Sequence, residues 1–177
     1  RAEQGLGDTI HFMRYIAILA AEAREVTFQV QDAIAWMAWG IAPNVRVCGY
    51  RDPVPTRFDY HVSLISLPGY YDTDLATIPG AVPYVTPDPA RVETWRARLG
   101  PDGFKVGIVW HTNPAHGNVK RWIPLKHLAS LGSVPGVRLV SLQKHYGLDQ
   151  LKAMTDEGVA IETLGESFDE GPDAFAD

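Results

Sequence analysis

The alternation of apolar and polar positions divides the chain into segments with helical spacing and segments typical of strands. Apolar residues at helical spacing predict helices at 8–24, 32–39, 90–99, 124–131 and 147–155. Short apolar runs bounded by turn residues predict strands at 26–30, 45–48, 58–67, 105–110, 137–142 and 159–164. Because the two kinds of segment alternate, we expect an α/β fold with mainly parallel sheets, flanking helices and right-handed crossovers.

The helix at 90–99 separates two such series of segments. We therefore expect a first domain at 1–87, a connecting helix and linker at 88–104, and a second domain at 105–177. The first series opens on a loop before a helix, and the second ends in an acidic segment after few elements. We expect the chain to be a piece of a longer protein, in which the first domain lacks its first strand and the second domain is truncated.

Composition narrows the classes of partner. A hydrophobic content of 46% is enough for a core, while a net charge of −5 argues against a nucleic-acid partner. Cys48 is the single cysteine, and its apolar surroundings predict a small core residue. One cysteine cannot form an internal disulfide, which favours a reducing compartment such as the cytoplasm. The sequence holds no apolar stretch of transmembrane length.

The segment Gln4-Gly5-Leu6-Gly7-Asp8 is the first candidate for chemistry. Two glycines before a helix let backbone N–H groups approach a ligand, and Asp8 there can serve as a general base. The structural alternative is that Gly5 and Gly7 make the turn while Asp8 caps the helix. Because short glycine motifs arise often by chance, the pattern alone favours capping.

The loop after the strand at 105–110 is the second candidate. In open parallel sheets, ligands bind outside the carboxyl ends of the strands, where this loop is predicted to lie. Lys120 as a point charge and Arg121 as a planar fork suit a diphosphate. Trp122 suits stacking on a base or sugar, although an aromatic residue at a helix start more often packs. The polar and aromatic residues of the loop are His111, Asn113, His116, Lys120, Arg121 and Trp122.

The sequence predicts no metal site. His111 and His116 stand five positions apart without cysteine or carboxylate neighbours, which is poor ligand spacing. Asp72 and Asp74 resemble a carboxylate pair that holds a metal–nucleotide complex in some transferases. They lie in a loop rich in proline and tyrosine, so turn chemistry is the favoured interpretation.

Several short motifs occur together in one family. They are Gln4-Gly5-Leu6-Gly7-Asp8, Ser66-Leu67-Pro68, Thr77-Ile78-Pro79, Val82-Pro83-Tyr84, Gly107-Ile108-Val109-Trp110, Asn113-Pro114-Ala115-His116, Lys120-Arg121-Trp122, Ile123-Pro124-Leu125 and Val140-Ser141-Leu142-Gln143-Lys144. Over essentially its whole length the chain resembles the glycosyltransferase-like domain that follows tetratricopeptide repeats in many bacterial proteins. That family is similar to the ADP-heptose:lipopolysaccharide heptosyltransferases of glycosyltransferase family nine.

The resemblance implies a GT-B architecture of two Rossmann-like domains, with the nucleotide-sugar donor on the C-terminal one and the acceptor on the N-terminal one. It implies inverting, metal-independent transfer of a sugar to a hydroxyl group, with the nucleotide-sugar as substrate and no cofactor. Asp8 matches the catalytic base and Lys120 matches the lysine that binds the donor diphosphate, which Arg121 and Asn113 would assist. Four further side chains are candidates for the pocket, namely His111, His116, Trp122 and Gln143.

Two features depart from the family pattern. Many relatives read Trp-Ala-Gly-Asn where this chain has Trp110-His111-Thr112-Asn113, and the bulkier pair restricts the approach of backbone to phosphate. The later donor-binding motif, Asp-Thr-x-x-x-His, would lie beyond Asp177. We therefore expect this piece alone not to turn over substrate.

Two other classes of function stay open from the sequence. One is a non-catalytic docking or scaffold domain beside helical repeats. The other is a different nucleotide-binding α/β protein such as an oxidoreductase, for which Glu25 is suitably spaced but a third glycine is missing. Apart from the function, an unfinished sheet has exposed edges, and exposed edges predict self-association.

Overall fold

The computed structural model describes residues 1–114, 122–170 and 176. Its helices are α1 (Leu6–Phe12), α2 (Ile16–Glu22), α3 (Leu67–Tyr70), α4 (Pro89–Leu99), α5 (Ala129–Gly132) and α6 (Asp149–Asp156). Its strands are β1 (Val26–Gln29), β2 (Val45–Cys48), β3 (Phe104–Ile108), β4 (Val137–Ser141) and β5 (Ile161–Thr163). All described strand pairs are parallel, which confirms the predicted α/β class with parallel sheets and flanking helices.

The described residues form two compact units. Arg1–Glu93 make the first and Thr94–Glu170 the second. The boundary falls inside α4, the helix that the sequence analysis assigned to a connection. The domain limits expected at 87 and 105 stay a prediction.

The sheet of the first unit contains more than its two regular strands. β1 and β2 pair from Val26 with Val45 onward, and the N–H of Ala2 donates to the carbonyl of Gln29 at 2.9 Å. On the other side, the N–H of Leu64 donates to the carbonyl of Arg1 at 2.8 Å. Extended backbone therefore runs across this unit in the order 45–48, 26–29, 1–2 and 62–64.

The strand predicted at 58–67 is wrong. Only the backbone at Val62–Leu64 pairs with a neighbour, and a 3-10 turn at Leu64–Ser66 then leads into α3. The first part of the apolar run is not covered by other residues, since Phe58 is 66% exposed and Tyr60 93% exposed, whereas Leu64 and Leu67 further along are buried in the core. An alternating apolar pattern becomes one face of a sheet only where a neighbouring element covers it. Among the described residues, none covers Phe58 and Tyr60 to that extent.

Three of the five predicted helices occur with shorter or tighter geometry, while those predicted at 90–99 and 147–155 are confirmed as α4 and α6. The single helix expected at 8–24 is α1, a 3-10 turn at Met13–Tyr15, and α2. The segment Asp32–Ala38 is 3-10 rather than α-helical, and the helix expected at 124–131 is a 3-10 turn at Leu125–Leu128 followed by α5. Tight i to i+3 turns are common where a connecting segment is short.

The core of the first unit lies between its helices and its sheet. Met13 and Ile16 pack against Phe28 and Val30, and all four are at most 3% exposed. Cys48 is also buried, as predicted, and burial raises the pKa of its thiol. A buried thiol with a raised pKa is a poor nucleophile at neutral pH, so Cys48 serves packing.

The second unit is built on a sheet in the order β3-β4-β5. Its core joins the middle strand to α6 and to the turn before α5 through Ile108, Trp110, Leu125, Leu139 and Met154. Within the described residues β3 and β5 each have a strand neighbour on one side, and the self-association expected from such edges stays a prediction. No helix in the described parts of the chain is long and apolar enough to cross a membrane.

Leu139→Ala should destabilise the second unit because Leu139 is 2% exposed on the middle strand. We expect a loss of roughly 2–5 kcal/mol in the free energy of unfolding, measured with urea, from lost burial and a residual cavity. Leu131→Ala is the control, since Leu131 on α5 is 39% exposed. Equal losses from the two variants would contradict the assigned core.

Candidate functional sites

The turn before α1 is held by one side-chain hydrogen bond and by the first backbone hydrogen bond of the helix. The N–H of Gly5 donates to Oδ2 of Asp8 at 3.1 Å, and the N–H of Thr9 donates to the carbonyl of Gly5 at 3.1 Å. Asp8 is exposed, and its negative charge lies in the first turn, where the helix dipole favours it. The capping role of Asp8 is confirmed, although Gly7 lies within α1 and not in the turn, and the role of Asp8 as a base stays a prediction.

Two residues outside the predicted site fix this turn in position. The hydroxyl of Thr9, which is 1% exposed, donates to Oε1 of Gln31 at 2.9 Å. Nε2 of Gln31 in turn donates to the carbonyl of Gln4 at 2.7 Å. Gln31 comes directly after the strand-like run that ends at Val30, and a polar residue at that place was the signal that could have identified it.

Gly7 lies beside open space. A Cβ built at Gly7 would meet no atom within 4 Å, whereas one at Gly5 would lie 3.3 Å from Oδ2 of Asp8. The packing of the described residues therefore does not require glycine at position 7. The open side of the turn leaves room for a ligand to approach.

In the second unit, Gln143 ties together the loops that follow β3 and β4. Its Oε1 accepts from the N–H of Trp110 at 2.9 Å and from the N–H of His111 at 2.8 Å. Its Nε2 donates to the carbonyls of His111 and Lys144 at 3.1 and 3.2 Å. All four hydrogen-bonding positions of the amide are used, so Gln143 positions the loop and is not free to bind a ligand.

The ring of His111 is fixed by a hydrogen bond and by stacking. Nδ1 lies 2.7 Å from the carbonyl of Thr112, which can only accept, so Nδ1 carries the proton in the neutral ring. The ring stacks on Trp122 at 5.1 Å between centroids and on Tyr146 at 6.4 Å. This arrangement leaves Nε2 as the atom of His111 suited to contact a ligand.

Gly147 makes room for His111. It has a φ of 74°, and a Cβ there would lie 2.9 Å from Cβ of His111 and 3.0 Å from Nε1 of Trp110. The indole N–H of Trp110 donates to the carbonyl of Gly147 at 3.0 Å. Both the backbone conformation and the close approach require glycine at this position.

A pocket of about 450 Å³ lies beside the carboxyl ends of β4 and β5. Polar and apolar groups share its lining, which includes Ser141, Gln143, Lys144, His145, Leu148 and Phe168. Nζ of Lys144 donates to the carbonyls of Phe168 and Asp169 and to Oε1 of Glu170. Of the residues that line this pocket, the sequence predicts Gln143 as a pocket residue but not Lys144, although Lys144 stands just after a predicted strand.

The remaining candidates divide between described and undescribed residues. Asn113 lies half-buried in the loop after β3, and Trp122 contacts His111. Three predicted residues lie outside the described residues, namely His116, Lys120 and Arg121. The structure therefore brings together His111, Trp122 and Gln143.

The acidic pair in the loop after α3 makes a turn. Oδ1 of Asp74 accepts from the N–H of Ala76 at 2.8 Å and from the N–H of Thr77 at 3.0 Å. Oδ1 of Asp74 also accepts from the hydroxyl of Thr77 at 3.0 Å. The hydroxyl bond contributes most, and together with the backbone bonds it holds the pKa of Asp74 below its usual value. In residues 1–114 and 122–170 no three histidine, cysteine or carboxylate side chains come together as metal ligands.

The two units share one arrangement of polar groups. Each has a loop at the carboxyl end of a parallel strand, held in place by an amide side chain, Gln31 in the first unit and Gln143 in the second. No family model matches the chain, and no curated protein or solved structure matches it. The geometry of these loops and the motifs of the sequence are therefore the basis for a functional proposal.

Asp8→Ala should cost roughly 0.5–1 kcal/mol of unfolding free energy because the cap and its dipole interaction are lost. Asp8→Asn should retain most of the stability, since an amide oxygen can still accept from Gly5. Thermal or urea unfolding of the two variants measures the difference. If Asp8→Asn is destabilised as much as Asp8→Ala, the hydrogen bond to Gly5 is not the stabilising contact.

Gln143→Leu should lower the free energy of unfolding of the second unit, because the buried Gln143 side chain is hydrogen-bonded to two loops. It leaves the N–H groups of Trp110 and His111 without their acceptor, at roughly 1–3 kcal/mol for each unpaired buried donor. Gln143→Glu should be destabilising as well, because it places a carboxylate oxygen against the carbonyls of His111 and Lys144, where Nε2 now donates. Urea unfolding would contradict the account if Gln143→Leu cost under about 0.5 kcal/mol.

Proposed function

We propose that the chain is part of an inverting glycosyltransferase of GT-B type, which moves a sugar from a nucleotide-sugar to an acceptor hydroxyl. The observation that supports this most is the pair of parallel sheets, each with a fixed polar loop at a carboxyl strand end. Ligands of open α/β sheets bind at that end of the strands. We further propose a bacterial, cytoplasmic protein in which this domain follows tetratricopeptide repeats.

The order of extended segments in the first unit supports a Rossmann-like assignment. Numbered along the chain from Arg1–Ala2, the order across the sheet is 3-2-1-4. This is the order of a doubly wound sheet, whose ligand crevice lies where the order reverses, between segments 1 and 4. The turn from Gly5 to Asp8 follows segment 1, so it lies at the start of that crevice, where we propose the acceptor hydroxyl binds.

The loops after β3 and β4 are the proposed donor side. Gln143 holds the backbone at Trp110 and His111, and the stack of His111 on Trp122 presents an aromatic surface there. Aromatic faces suit sugars and bases. We propose that Lys120 and Arg121, which belong to the same loop in sequence, neutralise the donor diphosphate together with Asn113.

The proposed reaction is a single displacement. The carboxylate of Asp8 takes the proton of the acceptor hydroxyl, and the acceptor oxygen bonds to the anomeric carbon. The bond from that carbon to the diphosphate oxygen breaks, and the nucleoside diphosphate leaves with the electron pair. Lys120 and Arg121 stabilise the negative charge that develops on the leaving group.

A docking or scaffold domain is the second candidate function. It is favoured by the hydrogen bond between Gly5 and Asp8, because a carboxylate used as a cap has a structural reason to be present without catalysis. Nucleotide binding separates the two candidates, since a scaffold has no need of a donor site.

Calorimetric titration of the full-length protein with UDP, GDP and ADP tests the proposal. We expect one of the three to bind, and Lys120→Ala to weaken that binding about tenfold or more, because a charge-assisted contact is worth roughly 1.5–3 kcal/mol. Lys126→Ala is the matched control, since this exposed lysine lies in the turn at Leu125–Leu128. Absence of binding to the folded protein would contradict the proposal and favour the docking domain.

A further inference from the structure

Lys144 of the second unit makes three hydrogen bonds through its ammonium group. Its Nζ donates to the carbonyls of Phe168 and Asp169 at 2.6 and 2.8 Å and to Oε1 of Glu170 at 2.5 Å. Its side chain is 21% exposed, which is low for a lysine. The ammonium group has three donors, and all three are directed at the segment 168–170.

Two of these three contacts are anchored in the fold. Phe168 packs edge-on against Trp95 of α4, with 5.6 Å between ring centroids, and its N–H donates to the carbonyl of Gly165. Arg98 on the same helix donates to the carbonyl of Leu164 and lies over the Trp95 ring. The two carbonyls that accept from Lys144 therefore belong to a segment that is packed against α4. They hold the ammonium group of Lys144 at the edge of the pocket of about 450 Å³.

The third contact is exchangeable. The side chain of Glu170 is 53% exposed, so it can rotate into solvent at little cost in buried area. The hydrogen bond from Lys144 holds the pKa of Glu170 below its usual value, which shows that the carboxylate is the charge partner of this lysine. Two carbonyl acceptors hold this ammonium group in place, and its third partner is a replaceable anion. The group is therefore preorganised for a different anion.

We propose that Lys144 forms an anion subsite of the pocket at the carboxyl ends of β4 and β5, occupied in the free protein by the carboxylate of Glu170. The incoming ligand is a phosphate-bearing molecule, whose higher charge gives a stronger charge-assisted hydrogen bond than a single carboxylate. Thr163 and Glu166, on the same pocket lining, offer acceptors for ligand hydroxyl groups. The inference rests on the proposed function in that this phosphate belongs to the sugar-nucleotide donor.

Inorganic pyrophosphate, titrated calorimetrically into the 177-residue chain, tests the subsite. Glu170→Gln removes the internal competitor, and we expect pyrophosphate to bind it about three to ten times more tightly than the unaltered protein. Lys144→Gln in the Glu170→Gln background should abolish that gain. Unchanged affinity in Glu170→Gln, or a gain that survives Lys144→Gln, would overturn the subsite.

Asp156→Asn is the matched control. It removes a carboxylate that accepts from Lys152 at 2.7 Å on α6, in the same unit but away from the pocket lining. It changes the net charge by the same amount as Glu170→Gln, so a general charge effect would raise the affinity of both variants equally. We expect the gain in Glu170→Gln alone, and an equal gain in both would overturn the proposal.

A measurement on the unaltered protein keeps the proposal testable if a variant does not fold. The pKa of Glu170, followed by carbon NMR of its carboxyl group, should rise towards its ordinary value when pyrophosphate takes its place on Lys144. A pKa unmoved at saturating pyrophosphate would show that the anion binds elsewhere. In that case nucleotide binding that depends on Lys120 would leave the proposed function standing, so the two failures are distinguishable.

Discussion

The second unit depends on one amide side chain. Gln143 accepts from the N–H groups of Trp110 and His111 and donates to two carbonyls, which joins the loops after β3 and β4 at the carboxyl edge of the sheet. Because parallel strands are not connected by hairpins, the loops at their carboxyl ends have no ladder of their own to hold them. The side chain supplies that constraint, and His111 and Trp122 take their places around it.

The same constraint explains which groups are available for chemistry. All polar atoms of the Gln143 side chain are used to hold the loops. Nε2 of His111 is suited to contact a ligand, and Lys144 is paired with the exposed carboxylate of Glu170, which we propose a ligand replaces. In the first unit Thr9 and Gln31 hold the turn, and Gly7 leaves its outer side open. Fixed backbone with a few open polar atoms is the arrangement that a binding site needs.

The sequence predicted the parallel α/β class because helical spacing and strand-like runs can each be recognised from residues that are close together in the chain. It could not predict the segment at 58–67, since whether Phe58 and Tyr60 become a sheet face depends on a surface distant in sequence. The sequence places Gln143 among the pocket residues. It could not predict that all four hydrogen-bonding positions of this amide are used, because that depends on where the two loops meet. Lys144 was overlooked as a site because its partner, Glu170, lies 26 residues away in a segment without periodicity.

We propose that the carboxyl edge of the sheet β3-β4-β5 binds a nucleotide. Amide chemical shifts followed during titration of the isotope-labelled chain with UDP, GDP and ADP locate any binding directly. We expect one nucleotide to shift the amides of Trp110, His111 and Gln143–His145, with little change in β1 and β2. Shifts confined to other surfaces, or none at millimolar nucleotide, would contradict it.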